Sequence, residues 1–313
     1  MFSGFVPRAP QPLTWAVAPI AQRSAGEAGF PKLATHFKVE SVRSYRVSSP
    51  QGTELVAVQA TFRDRSQAAR TAILSMAPQA TFQSNTSDLG FEADPRYEIW
   101  RDAAAEMKKR VESRALVVSW WDNAQRIHLL TGLDTWVTSP ARKGFPNRDE
   151  ERVWSTLGGT FSENEARLET LAKSLTQDAA SAVRTLKATL PPSTPIYFVV
   201  TTDDLARLNE MHSLGGAALT LESRIFPVAS DVHGAIRGVK QWIDELGGGG
   251  YMLQPTNEVA IRAWSARESR SSEALLIRLL PFSDSIARPL PEFRMVYQSG
   301  WAGYLTVYQW HPN

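Results

Sequence analysis

The sequence predicts an α/β protein built on a mostly parallel (Rossmann-like) sheet that is covered by helices on both faces. Strand-like and helix-like segments alternate through residues 95–280, as they do where helices connect parallel strands. Residues 114–139 contain a compact strand–turn–helix–strand unit. Segments that alternate apolar and polar residues near both ends of the chain predict hairpins, which would add antiparallel strands at the N- and C-terminal ends.

The composition is that of a globular protein. The chain has 313 residues, of which 43% are hydrophobic and 21% charged, with a formal net charge of +2. That balance argues neither for nor against nucleic acid, but no clustered Lys/Arg tract is present, so we predict no nucleic-acid partner. The absence of cysteine excludes disulfides, thiolate nucleophiles, Cys-ligated zinc, iron–sulfur clusters and c-type haem attachment.

The first 35 residues are predicted to form an extended, Pro/Ala-rich stalk. No apolar run in the chain approaches the ~20 residues that a membrane span requires. The N-terminus also lacks the basic and long apolar regions of a signal peptide. Its abrupt, Pro-rich start resembles a juxtamembrane stalk, so we expect a membrane anchor that has been removed before it.

Residues 36–313 are predicted to form a single α/β domain, with a β-rich part (36–93) and an α/β core (94–313). The β-rich part should contain a hairpin of 37–47 and 54–62 with a turn at 50–52, a third strand at 71–76, and a loop at 78–93. In the core, Pro95 is expected to begin a helix. Further strands are predicted at 196–201, 220–226, 251–254, 258–264, 293–298 and 301–310, and helices at 203–212, 231–246 and 271–280.

The central unit carries the most informative pattern. Residues 115–120 are a short continuous apolar run, typical of a strand that is buried on both faces. Asp122 is expected to cap the following helix with Gln125 in a capping-box position, and Gly132 fits the end of that helix. The stretch 135–138 should be the next strand.

Residues 162–190 contain the most regular helical pattern in the chain. Ser162 and Glu165 have capping-box spacing, and Pro191 would stop the helix. An apolar stripe with steps of three or four residues predicts one long helix packed on the sheet; the stripe consists of Leu168, Leu171, Leu175, Ala179, Val183, Leu186 and Leu190.

Few motifs carry recognisable chemistry. The five histidines have no metal-ligand spacing, so we predict no metal site. No serine-hydrolase elbow or P-loop is present, and the glycine run 247–250 follows a helix instead of opening one. Asp203 and Asp204 follow a predicted strand and could bind a ligand, although a capping role for Thr202 or Asp203 fits them better. We predict no cofactor and no catalytic residue.

The candidate ligand- or partner-binding residues are Trp120, Trp121, Asp122, Arg126 and Asp134. Open α/β sheets place their clefts at the carboxyl ends of strands, which is where the two tryptophans are expected. A tryptophan pair can stack a ligand or anchor a partner, although such pairs more often belong to the core. Arg126 lies one helical turn after Asp122 and could pair with it.

Several segments of the chain resemble one known family. The segments are SWWDNAQRIHLLTGLDTWVTS (119–139), DVHGAIRGVKQWIDE (231–245), GYMLQPTNEVAIRAW (250–264), RLLPF (278–282) and RMVYQSG (294–300). They are similar to the hydroxylamine oxidation protein HaoB, whose members share a Trp-Trp-Asp segment ending in Leu-Leu-Thr-Gly-x-Asp-Thr. The similarity covers residues 115 to about 310.

The resemblance implies a periplasmic protein of ammonia- or methane-oxidising bacteria, anchored to the inner membrane. Its gene would accompany that of the multihaem hydroxylamine oxidoreductase, which makes that enzyme the expected partner. The resemblance supplies no catalytic residues. The Trp-Trp-Asp segment is also similar to the start of the WWDYG motif of oligosaccharyltransferases, but Asn123 and Ala124 replace its Tyr-Gly, so transferase activity is not expected.

Two function hypotheses follow. The first is a non-catalytic, membrane-tethered accessory protein that binds the hydroxylamine oxidoreductase. The alternative is a small-molecule binding module or an enzyme that uses a cleft at Trp120, Trp121 and Asp122.

Overall fold

The computed structural model of the chain describes residues 16–24, 35–48, 54–78, 95–145, 148–157, 159–228, 232–257 and 260–312. These residues form three sheets. The strands are β1 (Ala16–Ser24), β2 (Val39–Ser48), β3 (Glu54–Arg63), β4 (Ala69–Pro78), β5 (Leu116–Val118), β6 (Asp134–Thr135), β7 (Ile196–Thr201), β8 (Glu222–Pro227), β9 (Gly250–Asn257), β10 (Ala260–Ala266), β11 (Phe293–Gln298) and β12 (Leu305–Trp310).

The longer helices flank the sheets, and short ones lie in the connections. They are α1 (Pro95–Arg110), α2 (Trp121–Thr131), α3 (Arg148–Thr156), α4 (Glu165–Thr176), α5 (Ala179–Thr189), α6 (Leu208–Ser213), α7 (Val232–Glu245), α8 (Ser269–Ser272), α9 (Leu275–Leu279), α10 (Ser283–Ala287) and α11 (Gly300–Gly303). Two 3₁₀ helices span Arg142–Gly144 and Thr202–Arg207. Within the described ranges, no helix combines the length and apolar character that a membrane crossing requires.

The N-terminal sheet is antiparallel, in the order β1-β2-β3-β4. The predicted β2–β3 hairpin and the third strand are confirmed. β1 pairs with β2 along its length, so this part of the predicted stalk belongs to the sheet. The rest of the stalk up to residue 34, the predicted turn at 50–52 and residues 79–93 of the predicted loop 78–93 lie outside the described residues. Residue 78 is the last residue of β4. The proposed domain boundaries therefore stay a prediction.

The central sheet has five strands in the order β11-β12-β7-β5-β6. β5 is parallel to both β6 and β7, whereas β12 runs antiparallel to β7 and β11 antiparallel to β12. The prediction of a mostly parallel, Rossmann-like sheet covered by helices on both faces is therefore wrong. The predicted β11–β12 hairpin is present, but it adds its antiparallel strands directly to β7.

The third sheet explains the rest of this error. β8, β10 and β9 pair antiparallel with one another and do not join the central sheet. Only residues 258 and 259 separate β9 from β10, and a parallel connection needs a crossover of about a dozen residues or more. The alternation of strand-like and helix-like segments, on which the prediction rested, therefore included three strands of a separate sheet. Helix α7 packs against that sheet.

Two hydrophobic clusters lie on opposite sides of the central sheet, because successive side chains of a strand point to opposite faces. Val118 and Phe198 belong to the first cluster, together with apolar residues of α4, α5 and α9. Val117 and Val199 belong to the second, which α1 and α2 share with the N-terminal sheet. The second face is therefore covered partly by β-strands and not by helices alone.

Gly132 ends α2, as predicted. Its φ of 74° lies in the left-handed region, which glycine adopts without a steric cost. The imidazole of His36 occupies the place where a Cβ of residue 132 would lie. The close approach of His36 is a second reason for glycine here, and it attaches the start of the β-rich part to the end of α2.

The predicted single helix 162–190 is wrong, because α4 and α5 are separate helices with a break at Gln177 and Asp178. Asp178 accepts a hydrogen bond from the backbone N–H of Ser181 and so caps α5. The backbone of 177–179 bonds to the backbone of Glu273 and Leu275. Asn164, and not Ser162, caps α4. The periodicity continued across the break, since both helices bury their leucines in the same cluster.

We expect Leu175→Ala to lower the free energy of unfolding by about 2–5 kcal/mol, because Leu175 is buried in the first cluster and its truncation leaves a cavity. The control is Lys173→Ala on the exposed side of α4, for which a change of about 0.5 kcal/mol or less is expected. Denaturant melts measure both values. Equal effects of the two substitutions would show that α4 is not packed on the sheet as described.

Candidate functional site

The candidate site lies at the carboxyl ends of the adjacent strands β5 and β7. After β5 the chain enters α2, whose Ile127 and Leu130 belong to the second cluster. After β7 it enters the 3₁₀ helix and α6, whose Leu205 and Met211 belong to the first. The two connections thus leave neighbouring strand ends toward opposite faces, which is the arrangement that forms a crevice in open α/β sheets.

Trp120 and Trp121 are both buried in this crevice, with exposed fractions of 0% and 3%. Their indole N–H groups converge on one carboxylate, that of Glu210. Trp121 Nε1 donates to Oε1 over 2.7 Å and Trp120 Nε1 donates to Oε2 over 3.2 Å. A buried indole N–H needs an acceptor, and Glu210 supplies it for both rings. The rings themselves are core residues and do not present a stacking surface.

Asp122 forms an ion pair with Arg207. The guanidinium donates to Oδ2 from Nη2 over 2.7 Å and from Nε over 3.2 Å, and it lies 5.4 Å from the centre of the Trp121 ring. The prediction that Asp122 caps α2 is wrong: the helix begins at Trp121, two residues earlier than predicted, and the side chain of its N-cap residue, Trp120, makes no capping hydrogen bond. The carboxylate instead reaches across to the β7 connection.

Asn123 contacts the same connection. Its Nδ2 donates to Asp204 Oδ1 over 2.9 Å and to Thr201 Oγ1 over 3.2 Å. The other carboxylate oxygen of Asp204 accepts the backbone N–H of Thr201 over 2.8 Å. The N-cap of this 3₁₀ helix is Thr201, so the predicted capping role of Thr202 or Asp203 is wrong. Asp204 is the third helical residue, and it accepts hydrogen bonds both from the N-cap backbone and from Asn123.

These contacts form an ordered series between two segments. We name residues 120–123 the WWDN stretch and residues 202–213 the cover segment. Asn123 contacts Asp204, Asp122 contacts Arg207, and both tryptophans contact Glu210. Successive partners in the cover segment are therefore three residues apart. Steps of three place side chains on one side of a 3₁₀ or α-helical turn. The spacing D-x-x-R-x-x-E was visible in the sequence, but nothing marked its partner.

Burial and neighbouring charges perturb the ionisable groups of this cluster. Burial raises the pKa of Glu210 from 4.5 to about 7, against the opposing effect of Arg207. Burial and the nearby Asp122 raise the pKa of Asp204 well above its ordinary value. Burial would also raise the pKa of Asp122, but the charges of Arg207 and Arg126 hold it below the ordinary value. Asp122 and Arg207 are therefore the ionised pair, and the other two carboxyls favour their neutral form.

Asp203 occupies a separate polar contact at the same sheet edge. Its Oδ2 accepts the Tyr304 hydroxyl over 2.8 Å and an Arg96 N–H over 3.2 Å, while Oδ1 accepts the Gln254 amide over 3.3 Å. Trp264 Nε1 donates to the same Gln254 side chain. Asp203 thereby joins the three-stranded sheet β8-β10-β9 and α1 to the end of β7. The sequence had suggested a capping or ligand-binding role for this residue.

Two of the predicted site residues lie elsewhere. Arg126 was expected to pair with Asp122, but its guanidinium donates to the Ile73 carbonyl and to Asn123 Oδ1 and lies 4.5 Å from the Trp100 ring centre. Asp134 is exposed and pairs with Leu116 at the start of β5. The length of β5 thus separates Asp134 from the WWDN stretch, so the structure does not bring it into one cleft with Trp121.

The polar groups of this site are bonded to one another, so few of them are available to a ligand. The polar side-chain atoms of the WWDN stretch bond to protein groups. The Asp122–Arg207 pair retains partial exposure, 13% and 28% for the two side chains, and Glu210 is half-buried. Within the described ranges, no group of three or more histidines and carboxylates could hold a metal ion.

A double-mutant cycle tests the Asp122–Arg207 pair. We expect a coupling free energy of about 2 kcal/mol between Asp122→Asn and Arg207→Gln, because contacting residues in one buried network are strongly coupled. The control is the exposed pair Glu40 and Arg63, for which the same substitutions should give about 0.5 kcal/mol. The measurement is the free energy of unfolding of each single and double variant. Equal coupling in the two pairs would contradict the assignment of the crevice pair as a structural constraint.

Comparison with known proteins gives one match that covers the chain. No curated protein matches. Among solved structures, the C-terminal globular domain of an oligosaccharyltransferase from Archaeoglobus fulgidus covers 68% of this chain and 96% of its own at 14% identity, with a TM-score of 0.35. The C. jejuni PglB C-terminal domain covers 66% of this chain and 98% of its own at 9% identity, with a TM-score of 0.40.

Scores this low do not establish a shared fold, and nothing about activity follows from them. The family model described as "HaoA-associated protein HaoB" matches residues 3–310, nearly the whole chain. This match confirms the resemblance that the WWDN stretch and the later segments indicated. The chain belongs to the HaoB family of HaoA-associated proteins.

Proposed function

We propose that this chain is an accessory protein that binds the multihaem hydroxylamine oxidoreductase and takes no part in the chemistry itself. The observation that carries the proposal is the family match over residues 3–310, whose description names association with HaoA. We take HaoA to be the hydroxylamine oxidoreductase. Binding would hold the oxidoreductase near the membrane or near its electron acceptor. Association is the coarse statement that the family description supports, and the holding role is our addition.

The geometry of the candidate site supports a non-catalytic role. A general acid, base or nucleophile must reach a substrate atom, whereas the carboxyl of Glu210 bonds two buried indoles. Asp204 is likewise directed at Asn123 and at the chain itself. The perturbed pKa values here are accounted for by this internal network, which can perturb ionisation as strongly as an active site does.

The periplasmic location and the membrane tether are also proposals. They come from the family resemblance and from the Pro-rich N-terminal residues, most of which lie outside the described ranges. A tether would raise the local concentration of the bound partner at the membrane.

We expect this protein and purified hydroxylamine oxidoreductase to form a complex at micromolar concentrations. Co-elution in size-exclusion chromatography and calorimetric titration measure it, at low and at moderate salt, since charge pairs at the edge of an interface weaken with salt. A multihaem cytochrome of similar size and charge serves as the control partner. Equal retention of the control, or no complex at low salt, would count against the proposal.

We expect the full-length native protein to sediment with the inner membrane and to be digested by protease added to spheroplasts. A version in which a cleavable export signal precedes residue 16, so that β1 is kept, should be released in soluble form from the periplasm of the same cells. Immunoblots of the fractions give the result. A full-length protein found in the cytosolic fraction would contradict both the tether and the periplasmic assignment.

A further inference from the structure

We propose that the cover segment is a pH-responsive closure of the crevice, held shut while the half-buried carboxyl of Glu210 and the buried carboxyl of Asp204 are protonated and loosened as they ionise. The inference concerns regulation by local opening and does not depend on which partner the protein binds. It begins from the geometry, in which three successive contacts join the cover segment to the WWDN stretch.

Residues 204–213 of the cover segment form a unit that can separate from the sheet edge. The first two residues stay attached, since the Thr202 N–H donates to the Tyr304 carbonyl and Asp203 bonds Tyr304 and Gln254. Residues 204–213 form the rest of the 3₁₀ helix and α6 and belong to no strand. Leu205 and Met211 bury their side chains under it. Opening would therefore break the side-chain contacts to residues 120–123 and expose Met211, while the strands themselves stay paired.

The charged groups around Glu210 determine the sign of the pH effect. From the WWDN stretch it meets the two indoles and the negative Asp122. From the 3₁₀ helix Thr202–Arg207 it meets the positive Arg207, which also acts on Asp204. On the side of Arg142–Gly144, its Cγ lies 3.2 Å from the place that a Cβ on Gly144 would take.

The remaining charges near α6 are already engaged. On the Arg142–Gly144 turn, Lys143 pairs with Glu169 of α4 and Arg142 pairs with Glu151 of α3. Lys173 of α4 acts on Glu169, whose pKa its charge helps to lower, and His212 of α6 bonds the Gly216 carbonyl. Arg207 is the cation that acts on Glu210 most directly, and it is bound to Asp122.

Proton linkage gives the direction. In the closed state Glu210 has a pKa of about 7, and in an open, hydrated state it returns toward 4.5. The closed state therefore holds more protons between these values, and closure weakens as pH rises through that window. Asp204 acts in the same direction, since its pKa is also raised by burial. Asp122 acts in the opposite direction, but only below its ordinary range.

The absence of cysteine from the chain allows a direct test by thiol labelling. Met211→Cys places a thiol under the cover segment, and Leu186→Cys places one at an equally buried position in α5. Ala188→Cys places an exposed reference thiol in the same helix. The rate at residue 211 less the rate at residue 186, which measures global unfolding, is divided by the rate at residue 188, and this ratio cancels the intrinsic pH dependence of the thiol. From Glu210 alone, this ratio should rise roughly 30-fold between pH 5.5 and 8.5.

Substitutions at the carboxyls identify the responsible groups. Glu210→Gln should remove roughly 30-fold from the rise, and the double variant with Asp204→Asn should give a flat ratio. Should Glu210→Gln lack a native near-UV CD spectrum, Trp120→Phe replaces it. Loss of that indole donor destabilises the carboxylate, so the rise should extend to higher pH. A flat ratio in the parent, an undiminished rise in Glu210→Gln, or an unshifted rise in Trp120→Phe would overturn the proposal.

Discussion

The requirement that buried polar groups find partners governs the centre of this protein. The WWDN stretch places two indoles, a carboxylate and an amide where two strands end, and each unpaired group there would cost about 1–3 kcal/mol or more. The cover segment supplies a partner for each group: the carboxyl of Asp204 for the amide, the guanidinium of Arg207 for the carboxylate, and the carboxyl of Glu210 for both indoles. The position of the cover segment, and with it the closure of the crevice, follows from these pairings.

The same requirement explains the position of the Arg142–Gly144 turn. Gly144 lies against Glu210, and the cations on either side of the turn pair with α3 and α4. The Arg142–Gly144 segment is thus attached to α3, α4 and α6. Its contact with Glu210 is one of those that surround the carboxyl, whose burial raises its pKa.

Local features of the fold were predictable from the sequence where periodicity or chirality decided them. The start of α1 at Pro95, the end of α2 at Gly132 and the two terminal hairpins all follow from short-range chemistry. The partner of each strand did not follow, because β9 and β10 look alike whether they pair with each other or enter the central sheet. The break between α4 and α5 was hidden as well, since the leucine spacing continued across it and its cause, the backbone of residues 273–275, lies far away in sequence.

The site was predictable only in part, for the same reason. The strand-end position of Trp120 and Trp121 was anticipated, but Glu210, Arg207 and Asp204 were not, although their steps of three are present in the sequence. The spacing alone did not predict a site, because the segment that these residues contact was not known. About eighty residues separate the two segments in the sequence. Asp134 was included because it follows α2 in the motif, yet parallel pairing places it at the opposite end of β5.

The strand order of the central sheet has a consequence for synthesis. β7 ends at Thr201, but its neighbour β12 begins only at Leu305. A nascent chain that has reached β7 therefore has one edge of a strand that is fully buried in the finished protein without a partner for about another hundred residues of translation. Such an unpaired strand edge can associate with other chains. The edge is covered only when residues 293–310 emerge, so the central sheet is completed by a late hairpin that adds β12 to β7 and β11 to β12.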